Sequence, residues 1–420
     1  MKKLMHKVVK NPFVSGSIIV FLGTFVGNIF NFLFNFFMTR NLSVSDYGIL
    51  ASLVSIILLF ALASDSIIPT VIHFSGQYFA RNEIKKVSAF FWKLNKLFII
   101  FGIVTLGIFI IFGSNVSHFF KIENNFLIFL VGVIISVISL SSLNKGILAG
   151  RLSFGYISFF NFFSSILKFF AGMLFVFLGL GVNGGILAFL IAHLFAYLFT
   201  FFPLKSILRG KRENVIGIKE IFKYAAPSGI AMLGLTLFIT TDIILVKHFF
   251  SGQEAGVYAG MSLLGRIIYF FSAPIATVLF PLVVQLHTRR ERHSHFFYLS
   301  IVLVLISSIG ITIFYYFFPE FSIKFLLKQE EYLVIKPTLW IFGIFMIIYS
   351  VLSIVTNYYL SIKKTKVFIP VLFGAICQAI LVYLYHDTFQ IVVIISIITT
   401  TIPLIILLFY YWRIRNDVIS

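Results

Sequence analysis

The sequence predicts an all-α membrane protein, with twelve transmembrane helices in two six-helix lobes related by a parallel pseudo-two-fold repeat. Three observations predict it. Of 420 residues, 60% are hydrophobic and 11% charged, and the mean hydropathy is +1.05. A soluble chain would carry about 25% charged residues. The apolar residues come in continuous runs of about 20, enough for a helix to cross a bilayer, and do not alternate as barrel strands would. The longest polar connection, Lys205 to Lys223, leaves six such runs on either side. An even number of spans per half brings both halves into the membrane in the same sense, which makes the repeat parallel.

The runs place spans at 14–38, 47–69, 89–112, 126–148, 157–179, 183–204, 222–246, 256–283, 296–318, 333–359, 367–385 and 390–412. Residues 1–210 are expected to form the N-terminal lobe and 211–420 the C-terminal lobe. With the N-terminus cytoplasmic, 25 of the 33 Lys and Arg fall in inner segments and six in outer ones. Cytoplasmic loops collect positive charge, so this split orients the chain with both termini inside. The net charge of +19 therefore reports topology and not nucleic-acid binding. MKKLMHKVVK has the basic character of a signal segment but no small-residue cleavage site, and reads as an uncleaved anchor.

Span one carries Thr24, Asn28, Asn31, Asn35 and Thr39, which share one helical face roughly 80° wide. Three asparagines do not face lipid without cost. They either hold helices together or line a polar passage. A break is expected over Arg40 to Tyr47, with the second helix starting at Gly48. Asp65 lies near the inner end of span two, ahead of Pro69.

In span five Ser158, Asn161, Ser164, Ser165 and Lys168 occupy one face, continued by Gly172. A lysine at mid-span costs roughly 2.5–3.5 kcal/mol. It is either half of a structural ion pair or an anion contact in a cavity. His193 in span six reads more readily as hydrogen-bonded within the bundle than as a proton relay. The end of the central linker, Ile216 to Tyr224, has the pattern of an amphipathic helix at the inner surface.

In span seven Asp242 follows Thr240 and Thr241 and corresponds roughly to Asn35. Asp65 and Asp242 are candidates for a coupling proton or cation, for pairing with a base, or for simple interfacial placement. Span eight holds Arg266, with Ser262 and Tyr269 on its face. It either snorkels outward or uses its planar fork of donors on phosphate. The inner tract HTRRERHSH (His287 to His295) reads as a charged, solvated loop instead of a metal site. Span ten adds Tyr349, Ser353, Thr356 and Asn357 as a neutral polar face. The single cysteine, Cys377, excludes a disulfide framework and a cysteine-based metal site. No cofactor or metal is expected.

The loop after span one has a counterpart. Arg40 to Ala51 reads RNLSVSDYGILA and Lys247 to Ala259 reads KHFFSGQEAGVYA. In both a base closes a helix, an acid stands two residues before Gly, and an apolar helix follows. This is the weak internal symmetry that transporter repeats leave.

These residues carry a resemblance. A first helix ending Arg40-Asn41-Leu42, a Tyr47-Gly48 opening the second, and KEIFKYAAPSG (Lys219 to Gly229) leading into the seventh helix resemble the polysaccharide-exporter branch of the MATE-like flippase superfamily. That branch includes Wzx-type O-antigen and repeat-unit flippases. The likeness extends over the whole chain in length and helix count. It implies translocation of an undecaprenyl-diphosphate-linked oligosaccharide repeat unit across a bacterial cytoplasmic membrane, with polysaccharide polymerase machinery as a candidate partner. A cavity lined by Asn28, Asn31, Asn35, Asn161, Ser164, Ser165, Tyr269 and Asn357 would suit sugar hydroxyls, and Lys168 and Arg266 the diphosphate. A MATE-type drug antiporter is the alternative within the fold, although its cationic substrates would favour an acidic cavity. A membrane polysaccharide polymerase or ligase is the alternative outside it. The outer loops are short and no Walker loop, His-Glu-x-x-His or Gly-x-Ser-x-Gly stands in the sequence, so the chain is not expected to be an enzyme.

Overall fold

A computed structural model describes residues 12–65, 67–122, 124–151, 153–208, 218–288 and 291–419. Every described element is helical. The α-helices are α1 (Pro12–Asn41), α2 (Val44–Asp65), α3 (Ile68–Ala80), α4 (Ile84–Ile111), α5 (Gly113–Phe120), α6 (Asn125–Gly150), α7 (Phe154–Phe177) and α8 (Gly181–Leu208). After the central linker come α9 (Ile218–Phe249), α10 (Gly252–Thr288), α11 (Ser294–Phe317), α12 (Pro319–Leu327), α13 (Leu339–Ser361), α14 (Phe368–Leu384) and α15 (Phe389–Ile419). Eleven helices are long and apolar enough to span a membrane among the described residues. The expected first span lies within α1, whose side chains up to residue 22 are outside those described. The chain is a multi-pass helical membrane protein.

Three boundaries differ from expectation. The expected break at Arg40 to Tyr47 is only Leu42 and Ser43, because Ser43 caps α2: its Oγ accepts from Asp46 N at 3.1 Å. Span two was expected to run to residue 69, but α2 ends at Asp65 and a separate helix α3 begins with Pro69 in its first turn. Proline has no N–H to donate and disfavours helix in the residue before it, so it starts a helix more easily than it continues one. Span ten was expected from residue 333. A 3-10 turn over Glu330–Ile335 precedes α13, and Pro337 stands between the two. Of the central linker, residues 209–217 lie outside the described residues, and the chain is helical again from Ile218.

The chain forms two compact units. Unit 1 is residues 1–35 with 60–229, and unit 2 is residues 36–59 with 230–420. Inside unit 1, α6 is the hub: it packs on α3, α4 and α8, and α8 packs on α7. Inside unit 2, α13 is the hub: it packs on α10, α11 and α15, and α15 packs on α14. The two hubs are spans four and ten of the sequence order, and their partners correspond in the same way.

Small residues permit the closest helix contacts, as is common where lipid supplies no hydrophobic drive between helices. On α6, a Cβ on Gly146 would stand 2.8 Å from Val71 Cγ1, and one on Gly150 would stand 3.0 Å from Gly76 N. Those glycines let α3 lie against α6. The core of unit 1 sits there, with Val71, Tyr78, Phe90, Phe91, Leu143 and Ile147 buried together.

In unit 2 the two base–loop–Gly motifs meet. Gly48 is the fifth residue of α2 and Gly256 the fifth of α10. Each helix opens on a serine cap with the motif's acid at its third position. Ser251 Oγ accepts from Glu254 N at 3.2 Å while Glu254 Oε2 accepts from Ser251 N at 3.0 Å, a reciprocal capping box. A Cβ on Gly48 would stand 2.7 Å from Gly256 N, and one on Gly256 would run into Val44 O. The acid and glycine shared by the motifs are therefore a helix start and a helix crossing.

Candidate functional site

Unit 1 contains a cavity of about 270 Å³. The helix α1 gives it Asn28 and Asn31, α7 gives Asn161, Ser164, Ser165 and Lys168, α6 gives Lys145 and α8 gives His193. The two polar faces read from spans one and five meet because α1 is smooth where they cross. Gly23 and Gly27, also in the lining, sit against Ser158 and Ser165 of α7; a Cβ on Gly27 would be 3.3 Å from Ser165 Oγ. The Gly-x-x-x-Gly spacing of residues 23 and 27 is the signal that could have paired these helices from sequence.

Lys168 is 7% exposed. Its ammonium donates to Asn31 Oδ1 and lies 4.3 Å from the Phe189 ring centre and 5.1 Å from that of Phe34. Cation–π contacts of this kind offset part of the desolvation cost. Among the described residues no carboxylate forms an ion pair with Lys168, and no Asp or Glu lines the cavity. Of the two roles open to this lysine, the structural ion pair has no partner among the described residues.

The neighbouring polar groups divide into those committed to the fold and those facing the cavity. Asn35 donates to Asn31 O at 2.9 Å, Ser165 to Asn161 O at 2.9 Å and Ser164 to Ala192 O at 3.2 Å. Thr39 is buried on its own backbone, donating to Phe36 O. The amides of Asn28 and Asn161 line the cavity. His193 departs from expectation: its Nδ1 is buried with no hydrogen-bond partner, and the ring tilts toward Phe189 at 6.1 Å. Lys145 of α6 also lines the cavity.

Of the other predicted residues, all but Asp65 belong to unit 2. Asp242 is 1% exposed; it accepts from Tyr258 Oη at 2.9 Å and from Ile243 N at 2.8 Å. Arg266 does not snorkel. Its Nη2 donates to Ile239 O at 2.9 Å, and its Nε is buried without a partner. The rings of Tyr269 and Tyr349 are 5.4 Å apart. Asn357 donates to Ser353 O at 2.9 Å, and Thr356 Oγ1 is buried without a partner. The side chain of Asp65 lies outside the described residues.

The tract His287 to His295 is not wholly a solvated loop. Arg289 and Arg290 lie outside the described residues, but His293 is 1% exposed, its Nε2 3.3 Å from His287 Nδ1 and its Nδ1 3.0 Å from Tyr358 Oη. The aromatic packing of Phe297 on Tyr358 and Tyr411 closes over this triad. Among the described residues no group of three or more His, Cys, Asp or Glu could hold a metal ion.

A helical membrane bundle with two hubs of matching packing is a fold this chain shares with solved transporters of the MOP superfamily. The chain superposes with a TM-score of 0.74 on an inward-facing multidrug resistance MATE family transporter of that superfamily, at 12% identity over 93% of this chain and 96% of that one. On the lipid II flippase MurJ, inward closed, the TM-score is 0.73 at 15% identity over 95% and 87%. For the MATE multidrug transporter DinF-BH, in complex with rhodamine 6G, it is 0.70, at 15% identity over 98% and 97%. By sequence, the chain is 26% identical over 270 residues to an uncharacterised membrane protein of Methanocaldococcus jannaschii. That match takes in 60% of this chain and spans 62% of the archaeal protein's length. The chain belongs to the polysaccharide biosynthesis protein family, whose model matches residues 37–337.

Proposed function

We propose that the protein is a flippase that carries a lipid-linked oligosaccharide, an undecaprenyl-diphosphate repeat unit, from the inner to the outer leaflet for surface polysaccharide biosynthesis. It works by alternating access, in a bacterial cytoplasmic membrane and with both termini inside. The observation that carries this reading is Lys168, a buried ammonium that lines a cavity of amides and hydroxyls and has no acid in that lining to neutralise it. Such a lining suits an anion joined to sugar hydroxyls. Family membership and the likeness to a lipid II flippase support the same direction. Lys168 holds the anionic group, Asn28 and Asn161 offer hydrogen bonds to sugar, and the prenyl tail stays in lipid. Asp242, already engaged by Tyr258, is the remaining coupling-ion candidate among the described side chains.

Liposomes bearing the full-length protein and an undecaprenyl-diphosphate oligosaccharide in both leaflets test the reading. An impermeant glycosidase should reach the inner-leaflet pool only when the protein is present, with no glycosyl transfer to any acceptor. A pool that stays protected would refute the flippase. Efflux of rhodamine 6G by the same vesicles would instead favour the drug antiporter, the reading that the likeness to DinF-BH supports. The basic cavity argues against it, since cationic drugs would meet like charge.

A further inference from the structure

The cavity of unit 1 holds more than one cation. Lys145 and Lys168 both line it, and so does His193 of α8, within electrostatic reach of both ammonium groups. The two lysines come from different depths. At a rise of about 1.5 Å per residue, Lys145 sits about 8 Å from the Gly150 end of α6, and Lys168 about 21 Å from the adjoining Phe154 start of α7. Their side chains enter one cavity from two levels of the same helix hairpin, with the amides of Asn28 and Asn161 beside them. A single phosphate is a compact group that one ammonium and a few amides satisfy. Two linked phosphates extend the charge and reward a second cation placed along the axis.

We infer that Lys145, aided by His193, is the second cationic contact of this cavity, which therefore selects a diphosphate-type group over a monophosphate. One phosphate lies toward Lys145 and His193, the other toward Lys168 and the asparagines. The second cation is thus supplied within unit 1 and not by Arg266, which is hydrogen-bonded inside unit 2. This inference rests on the reading of the cavity as the substrate's anion site, and it adds the residue that sets specificity.

The test is ligand-induced stabilisation of the full-length, detergent-solubilised protein, with inorganic pyrophosphate, farnesyl diphosphate and farnesyl monophosphate as probes at constant ionic strength. The wild-type protein should bind both diphosphates about tenfold or more tighter than the monophosphate. Lys145→Gln should bring diphosphate affinity down to the monophosphate level and leave monophosphate affinity nearly unchanged. Lys145→Arg should keep the preference, Lys168→Gln should lose both ligands, and the exposed Lys324→Gln should change nothing. A monodisperse Lys145→Gln protein that prefers diphosphate as the wild type does would overturn the inference, and so would equal loss of all three probes. If Lys145→Gln does not fold, His193→Gln takes its place: a reduced preference supports the inference and an unchanged one overturns it. Binding of farnesyl diphosphate with pyrophosphate silent would assign recognition to the tail and overturn it too. Failure of the flippase reading would look different, with no transport in liposomes while Lys145-dependent diphosphate binding persists.

Discussion

Lys168 lies buried in a membrane-spanning helix, and no Asp or Glu lines its cavity. The insertion cost of roughly 2.5–3.5 kcal/mol is met in part by Asn31 and by the faces of Phe34 and Phe189. Removing the charge should therefore not destabilise the helices, while removing an anion contact should cost about 2–5 kcal/mol of substrate binding. Lys168→Ala is expected to appear in the membrane at wild-type level and to lose transport by about 30-fold or more. Lys168→Arg should retain part of it, since the charge persists with altered geometry. Normal transport by a well-expressed Lys168→Ala protein would remove the lysine from the site. A second residue-scale prediction concerns His293. Burial and the neighbouring His287 hold its imidazole below the usual 6.5. The folded protein thus takes up this proton less readily than the unfolded chain, and stability should fall as pH drops through about 6.5. Thermal unfolding followed at pH 7.5 and 5.5 should show that loss, and His293→Gln should flatten it. At this scale the sequence spoke clearly about Lys168, because a polar stripe on a single helix is a local pattern. It was silent about Lys145 and misdirected about His193, because which faces of different helices meet depends on close-packed glycines and not on any one helix's periodicity.

Helices were the most legible elements, since a bilayer demands long apolar runs and leaves little choice of boundary. What escaped were the short pieces. The eight residues of α5 and nine of α12 are too brief to leave a periodic signal, and α3 was hidden behind Pro69 in a run that looked continuous. The repeat motif was visible as a spelling, but its meaning as a serine cap followed by a crossing glycine needed the contact between Gly48 and Gly256. That contact predicts a stability effect. A Cβ at either position meets backbone, which cannot step aside as a flexible side chain can. Gly48→Ala and Gly256→Ala should each destabilise the detergent-solubilised protein by about 1–3 kcal/mol. At Gly310 of α11 an added Cβ meets nothing within 4 Å, and Gly310→Ala should be neutral or stabilising by up to about 1 kcal/mol. A thermal midpoint for Gly256→Ala equal to that of Gly310→Ala would refute the crossing as a packing constraint.

For the whole molecule, we retain the proposal of two six-helix lobes, 1–210 and 211–420, with both termini inside. Superposing the lobes with Gly48 on Gly256 tests the first part. Cysteine labelling tests the second: replacements at Asn115 and Gln329 should react from outside intact cells, and those near Arg212 and Arg290 should not. Energetics follow from the charge of the proposed cargo. A diphosphate carries about two negative charges, and moving them outward against a negative interior is favoured by about 4–5 kcal/mol per 100 mV. Transport in liposomes should then respond to an imposed potential without an ion gradient. A flat response would turn attention to a coupled ion, with Asp242 the first residue to replace.

The tip of the first helical hairpin is stitched into residues synthesised much later. Residues 36–59 belong to unit 2, where Arg40 Nη2 donates to Phe325 O and Gln329 Nε2 donates to Leu42 O, the latter pair 287 positions apart. At about 5–20 residues per second, a ribosome takes about 15–60 s to deliver Gln329 after Leu42 has emerged. Until the later residues are made, the Leu42 carbonyl lacks Gln329 and the bare backbone at Gly48 lacks Gly256. A nascent chain halted before α10 would therefore display an unfinished hairpin tip, a mark by which membrane quality control could tell an incomplete product from a finished one.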